Sequence, residues 1–292
     1  MTAASLQGSG RPVPGRRLVF ACLLVLVLAP PMAVAHGDLH EQIVAISQRI
    51  QAEPSNAALV LRRAELYREH GQWAQADADY DRAGKLAPEN PAIRLGRGKL
   101  YLAMGRFDAA RAALDSVLDE QPAHVDALAT RAQVLQALGE HAAAASDYVR
   151  AIAIASSPEP DFYLGLARSL SAAQPARDDE ALASLDAGVA RLGKLPTLSL
   201  AAIELQARRG EFDDALQRLD KLREGQARQE AWLARRGDIL VAAQRPDEAM
   251  QAWRDAMVAL EALPPRLRGT GAMLALRKRL TQRLQTASPR PQ

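Results

Sequence analysis

The chain has 292 residues, a length that accommodates one or two globular domains or one elongated array. Ala and Leu dominate its apolar residues and aromatics make up only 4%, which suits closely packed helices and leaves few of the β-branched and aromatic runs that strands need. The net charge of +3 comes from the first 35 residues, which hold three of the 37 basic side chains and none of the 34 acidic ones; the remainder is neutral and lacks the basic footprint of a nucleic-acid binder.

Residues 1–35 read as a cleavable signal peptide. Arg11, Arg16 and Arg17 precede an apolar run from Leu18 to Ala29, Pro30 and Pro31 break it, and Ala33-Val34-Ala35 offers a cleavage site before His36. A helix over that run spans about 18 Å, short of the ~30 Å hydrocarbon core; retention as a membrane anchor is the alternative. Val19 stands where a twin-arginine signal usually carries Phe or Leu, and the apolar run continues past Cys22, unlike a lipoprotein signal. Cys22 is the only cysteine, so the mature chain is expected to have no disulfide or thiol chemistry. Residues 36–56 form an expected N-terminal capping helix: Asp38 and Glu41 have capping-box spacing, and Ile43, Ile46 and Ile50 share one face.

From residue 57 the chain repeats itself. Gly71, Gly105 and Gly139 are 34 residues apart, as are Ala64, Gly98 and Ala132, then Ala76, Ala110 and Ala144, and Tyr80, Leu114 and Tyr148. After an insertion at Gln174–Asp179 the period resumes with Ala181, Ala215 and Ala249. The small residues suit close helix crossings, where bulk would cost about 1–3 kcal/mol. The glycines suit a left-handed cap ending the first helix of each pair. Trp73, Phe107 and Phe212 are expected to fill the hairpin cores. Tyr80, Leu114, Tyr148, Leu185, Leu219 and Trp253 are expected to pack each second helix against the next repeat. Pro88, Pro122 and Pro158 stop second helices.

This pattern resembles the tetratricopeptide repeat family, over residues 57–263. The resemblance implies an all-α fold: a right-handed α-solenoid of six antiparallel helix pairs, at 57–90, 91–124, 125–158, 159–195, 196–229 and 230–263. The insertion at Gln174–Asp179 and Gln244, which replaces the turn glycine in the sixth pair, are expected to disturb regular geometry. Residues 264–286 form an expected C-terminal capping helix, with Leu274, Leu276, Leu280 and Leu284 against Arg277, Lys278, Arg279 and Arg283; a membrane-surface role for this basic helix is the alternative. Residues 287–292 are expected to be a disordered tail.

Little in the sequence marks chemistry. Gly188, Gly193 and Lys194 imitate a phosphate-binding loop, but Leu195 replaces the hydroxyl residue and the motif ends a helix. His70, His124 and His141 fall near inter-helix turns, where exposed polar residues suffice. Asp77, Asp79, Asp81 and Arg82 read as a solvated face. The cluster of His36 and His40 reads as an exposed start; a mature amino-terminal His36 that chelates copper or zinc is the remote alternative. No catalytic residue, metal site or cofactor is expected.

The resemblance further implies that first helices line a concave groove holding an extended peptide or a helix. The expected groove residues are Arg62, Glu65, Arg68, Lys99, Gln133, Gln136, Arg168, Glu204 and Asp238, with Leu95, Leu102, Leu164 and Leu200 beside them. Leu61 and Glu65 stand where the family's carboxylate-clamp members begin their Lys and Asn grip, so chaperone-tail specificity is not expected. The expected function is a non-enzymatic scaffold of the cell envelope or periplasm that binds a protein or peptide partner and no nucleic acid, and a membrane only if the signal is retained. An accessory subunit of an envelope hydrolase or phosphatase is the alternative.

Overall fold

The computed structural model describes residues 36–193 and 195–287, so the signal-like segment with Cys22, the loop mimic's Lys194 and the tail beyond Ala287 lie outside the described residues. Fifteen α-helices and no strands occur among the described residues. A leading helix, α1 (His36–Ala52), precedes the pairs α2 (Ala57–Glu69) and α3 (Trp73–Leu86), α4 (Pro91–Ala103) and α5 (Phe107–Glu120), and α6 (Val125–Ala137) and α7 (His141–Ile154). The pairs α8 (Pro160–Ala172) and α9 (Asp178–Leu192), α10 (Pro196–Arg208) and α11 (Phe212–Arg223), and α12 (Glu230–Ala242) and α13 (Pro246–Glu261) follow. The C-terminal cap is broken in two, a single turn α14 (Pro265–Arg268) and then α15 (Gly271–Ala287). From α1 to α13 each helix packs on the next, α15 packs on α13 and α14, and first helices α2, α4, α6, α8 and α10 also touch in series. This is the α-solenoid expected of the repeat.

The boundaries follow from local chemistry. Asn56 and Asn90 cap α2 and α4, their Oδ1 atoms accepting from Ala58 N at 3.1 Å and Ala92 N at 3.0 Å. His124, one period further, caps α6 by accepting from Ala127 N through Nδ1 at 3.4 Å; it is a helix cap rather than an idle surface histidine. Each first helix of repeats one to three and five ends in a positive-φ glycine. At the first, Gln72 N donates to Tyr67 O at 2.8 Å and Gly71 N to Arg68 O at 3.1 Å, a Schellman cap. Gln244 corrects an expectation: it adopts φ 59° and the same cap forms, with Arg245 N donating to Leu240 O at 2.9 Å. The missing glycine therefore leaves the turn regular, at the cost of a left-handed residue with a Cβ. The insertion is a longer turn, closed where Arg177 N donates to Leu170 O at 3.0 Å.

The core is two clusters of small and large buried residues, one running from Ile50 to Leu205 and one from Ile203 to Leu280. Ala64, Ala76, Ala110, Ala132 and Ala144 are fully buried. Tyr80 and Tyr148 press on the next repeat: a Cβ added at Gly96 would stand 2.4 Å from Tyr80 Cε1, and one at Gly165 2.3 Å from Tyr148 Cζ. Leu114 and Trp253 press on glycines of their own repeats, at Gly98 and Gly237; Trp253 also meets the element that follows, where the Arg283 guanidinium of α15 lies 5.6 Å from its ring. Trp73 does not fill a hairpin core; it is 38% exposed at the first position of α3, while Phe107 and Phe212 are half-buried against the core. In α15 Met273, Leu276 and Leu280 are buried and Leu274 faces solvent.

Arginines staple the solenoid across three consecutive helices. Arg63 holds Asp79 of α3 with two bonds, Nε to Oδ2 at 2.6 Å and Nη2 to Oδ1 at 2.8 Å, and donates from Nη1 to Ser47 Oγ of α1 at 3.1 Å. Arg131 repeats this with Asp147 of α7, at 2.7 and 2.8 Å, and Asp115 of α5 at 2.8 Å. Arg97 reaches Asp81 at 3.0 Å and Arg236 reaches Asp220 at 2.7 Å. Asp79 is thus buried and paired rather than part of a solvated face. These bonds hold the Arg63 and Arg131 guanidiniums above their ordinary pKa.

Candidate functional site

Three clefts open in a row between successive first helices. The first, about 340 Å³, lies among α4, α6 and the start of α8, where Lys99, Gln133 and Phe162 line it, with Arg68 of α2 at its edge. The second, about 600 Å³, lies between α8 and α10; Leu164, Ala201 and Leu205 make apolar walls, and Arg168, Glu204 and Arg208 stand around them. The third, about 550 Å³, lies between α10 and α12, where Leu200, Trp232 and Ile239 meet Glu204, Asp238 and Arg235. Arg279, from α15, reaches its rim. Openings of about 340–600 Å³ fall within the ordinary range of ligand clefts.

Six of the nine expected groove residues line these clefts: Arg68, Lys99, Gln133, Arg168, Glu204 and Asp238. Arg62 and Glu65 do not; Arg62 is exposed and Glu65 half-buried on α2, and they pair with each other at 3.4 Å. Gln136 faces the neighbouring pair instead. Its Nε2 donates to Gly165 O at 2.9 Å and Ser169 Oγ at 2.8 Å, and Tyr148 Oη donates to its Oε1 at 3.2 Å. A side chain spending its donor and acceptor on α7 and α8 has little left for a partner. Burial pushes the phenols of Tyr80 and Tyr148 up to about 12, so both are neutral near pH 7.

Arg208, Trp232, Arg235 and Arg279 were missing from the sequence expectation. Arg208 lies four residues beyond Glu204, one turn along the same helical face, so extending the expected row by a turn would have found it. Arg279 reaches the groove from the capping helix, where repeat arithmetic does not apply.

The packed pairs and the row of first-helix clefts agree with what the family models recognise. A tetratricopeptide repeat model matches residues 68–134 and a tetratricopeptide repeat-like domain model matches residues 165–268. The chain is a tetratricopeptide repeat protein. Among solved structures it is similar to a tetratricopeptide repeat protein from Parabacteroides merdae, at 19% identity and TM-score 0.54, covering 86% of this chain and 93% of that one. It is also similar to the C-terminal part of a tetratricopeptide repeat-containing protein from Cytophaga hutchinsonii, at 15% identity and TM-score 0.62, covering 80% of this chain and 95% of that one. At these identities the likeness concerns the fold alone. Comparison with curated protein sequences gives no match. Tetratricopeptide repeat proteins typically bind other proteins rather than catalyse reactions. Among the described residues no group of three or more His, Cys, Asp or Glu side chains is placed to hold a metal ion, and no helix is long and apolar enough to cross a membrane.

Proposed function

We propose that this tetratricopeptide repeat protein is a scaffold of the cell envelope or periplasm that holds an extended peptide or helix of a partner protein along its first-helix face. The observation that carries this reading is the row of three clefts between successive first helices, the second and third sharing Glu204 and Ala207. A row of open clefts along one face suits a linear ligand better than a compact small molecule. Placement outside the cytoplasm rests on the basic start, apolar run and Ala33-Val34-Ala35 site of the first 35 residues.

The test is in-cell crosslinking followed by capture, comparing the wild type with a Lys99→Glu/Arg168→Glu variant. Both side chains line clefts and lie outside the buried core, so the fold should survive their reversal. Loss of one or more specific partners from the variant is the expected result; identical partner sets refute the groove. Mass spectrometry of the mature amino terminus tests the export reading, which predicts a chain beginning at His36.

A further inference from the structure

The first-helix face is electrostatically divided. In the first cleft the charges answer one another: Lys99 sits 3.3 Å from Asp126, Arg68 pairs with Glu69 at 3.5 Å, and Glu159 adds a further acid. The second and third clefts are lined by four arginines and only two acids. Both acids are already engaged, Glu204 by Arg235 at 2.8 Å and Asp238 by Arg283 at 3.4 Å. Among the described residues, Arg168, Arg208 and Arg279 have no carboxylate in salt-bridge range; Arg168 donates only to its own helix, at Leu164 O, 3.3 Å. In a chain where most arginines are paired, three unpaired ones gathered on the same clefts form a local positive field.

The second cleft combines this charge with apolar walls. Leu164 and Ala167 from α8 face Ala201 and Leu205 from α10, and Leu185 lies at its base. Arg168 and Arg208, one from each helix, are both exposed beside it. A guanidinium offers a planar fork suited to a carboxylate, and its pairing strengthens beside apolar surface that excludes water.

We propose that the C-terminal half of the groove selects a partner segment that carries acidic residues around a large apolar side chain, the apolar group entering the cleft between α8 and α10 and the carboxylates pairing with Arg168 and Arg208. This rests on the groove reading above and specifies the chemistry of its occupant. A basic or purely polar segment would leave the arginines unmatched or the apolar walls uncovered.

The experiment uses three fluorescein-labelled twelve-residue peptides with the purified chain, read by fluorescence anisotropy. One alternates Glu with Leu, one replaces each Glu by Lys, and one replaces each Leu by Ser. The Glu–Leu peptide is expected to bind about tenfold or more tightly than either other peptide, and to weaken as salt rises. Arg168→Gln/Arg208→Gln should reduce that binding about tenfold, while Arg254→Gln, on the exposed side of α13, should leave it within about twofold. Equal binding of the Glu and Lys peptides, or binding indifferent to the two arginines, overturns the proposal. Failure of all three peptides while Lys99→Glu/Arg168→Glu still loses its crosslinked partners overturns the assigned chemistry alone. Failure of the peptides together with an unchanged crosslinking pattern overturns the groove as well.

Discussion

Replacing Arg131 by Met tests whether the arginine staples hold the array together. Arg131 donates twice to Asp147, whose side chain is 5% exposed, and once to Asp115, which is 41% exposed. The substitution keeps the apolar stem and removes the fork. Asp115 turns to water at little cost. Asp147 stays buried, with only Arg150 nearby at 3.6 Å. Breaking a buried pair from one side typically costs about 3–5 kcal/mol; the residual Arg150 contact and the partial exposure of Arg131 lower the expectation to about 2–3 kcal/mol. Asp115→Asn should cost under about 1 kcal/mol, because that end of the network is open to solvent. Arg131→Met/Asp147→Leu should recover most of the loss, since no uncompensated carboxylate remains. The assay is urea denaturation followed by circular dichroism, with amide exchange across α5 to α7 as a local readout, because repeat arrays can open in parts. If Arg131→Met and Asp115→Asn destabilise equally, or the double variant is worse than Arg131→Met, the staple reasoning is wrong.

Gln244→Gly should stabilise the sixth hairpin by about 1 kcal/mol, because it removes a Cβ from a left-handed cap; an unchanged urea midpoint would count against the strain. Gly165→Ala should destabilise by about 1–3 kcal/mol despite better helix propensity, since the new Cβ meets Tyr148 Cζ at 2.3 Å. Adding Tyr148→Leu should make the alanine nearly neutral relative to Tyr148→Leu alone, a coupling that a double-mutant cycle measures. Tyr80 and Tyr148, pushed up to about 12 from an ordinary 10, favour the neutral phenol in the folded state. Their contribution is therefore fully present below pH 10 and lost as pH rises from about 10 to 12, by about 2–3 kcal/mol for each. Urea midpoints at pH 9 and pH 11 check this, and Tyr148→Phe should flatten the fall.

The hairpin plan was legible because it is written in residue size. Small residues recurring at 34 leave room for a crossing helix whatever surrounds them, and a positive-φ cap selects glycine locally. What the period could not show was which neighbour a large residue meets. Tyr80 and Leu114 occupy equivalent places, yet the glycine against Tyr80 is Gly96 of the next pair and the glycine against Leu114 is Gly98 of its own. Which facing residue must lack a Cβ is a relation between helices rather than within one. Trp73 stays 38% exposed although Phe107 and Phe212, also at the first position of their helices, are half-buried against the core. The groove row was readable from helical periodicity, but not its charge state, because pairing partners such as Arg235 and Arg283 lie on other helices.

The staples and the groove share the first helices without competing, and helix geometry explains how. Arg63, Arg97, Arg131 and Arg236 each sit one residue before the small crossing residue, at Ala64, Gly98, Ala132 and Gly237, and two before Glu65, Lys99, Gln133 and Asp238. Two residues of α-helix turn the side chain by about 200°, so the stapling arginine faces the second helices while the row residue faces away from them. The fourth and fifth repeats have Leu166 and Ala202 where the arginine would stand. There the link comes from elsewhere: Gln136 ties α6 and α7 to α8, and Arg218 of α11 binds Gln206 of α10 at 3.0 Å and Asp186 of α9. Gln136 was expected in the groove beside Gln133. It serves instead at a junction that lacks its arginine, next to the apolar cleft where Arg168 and Arg208 have no carboxylate to hold.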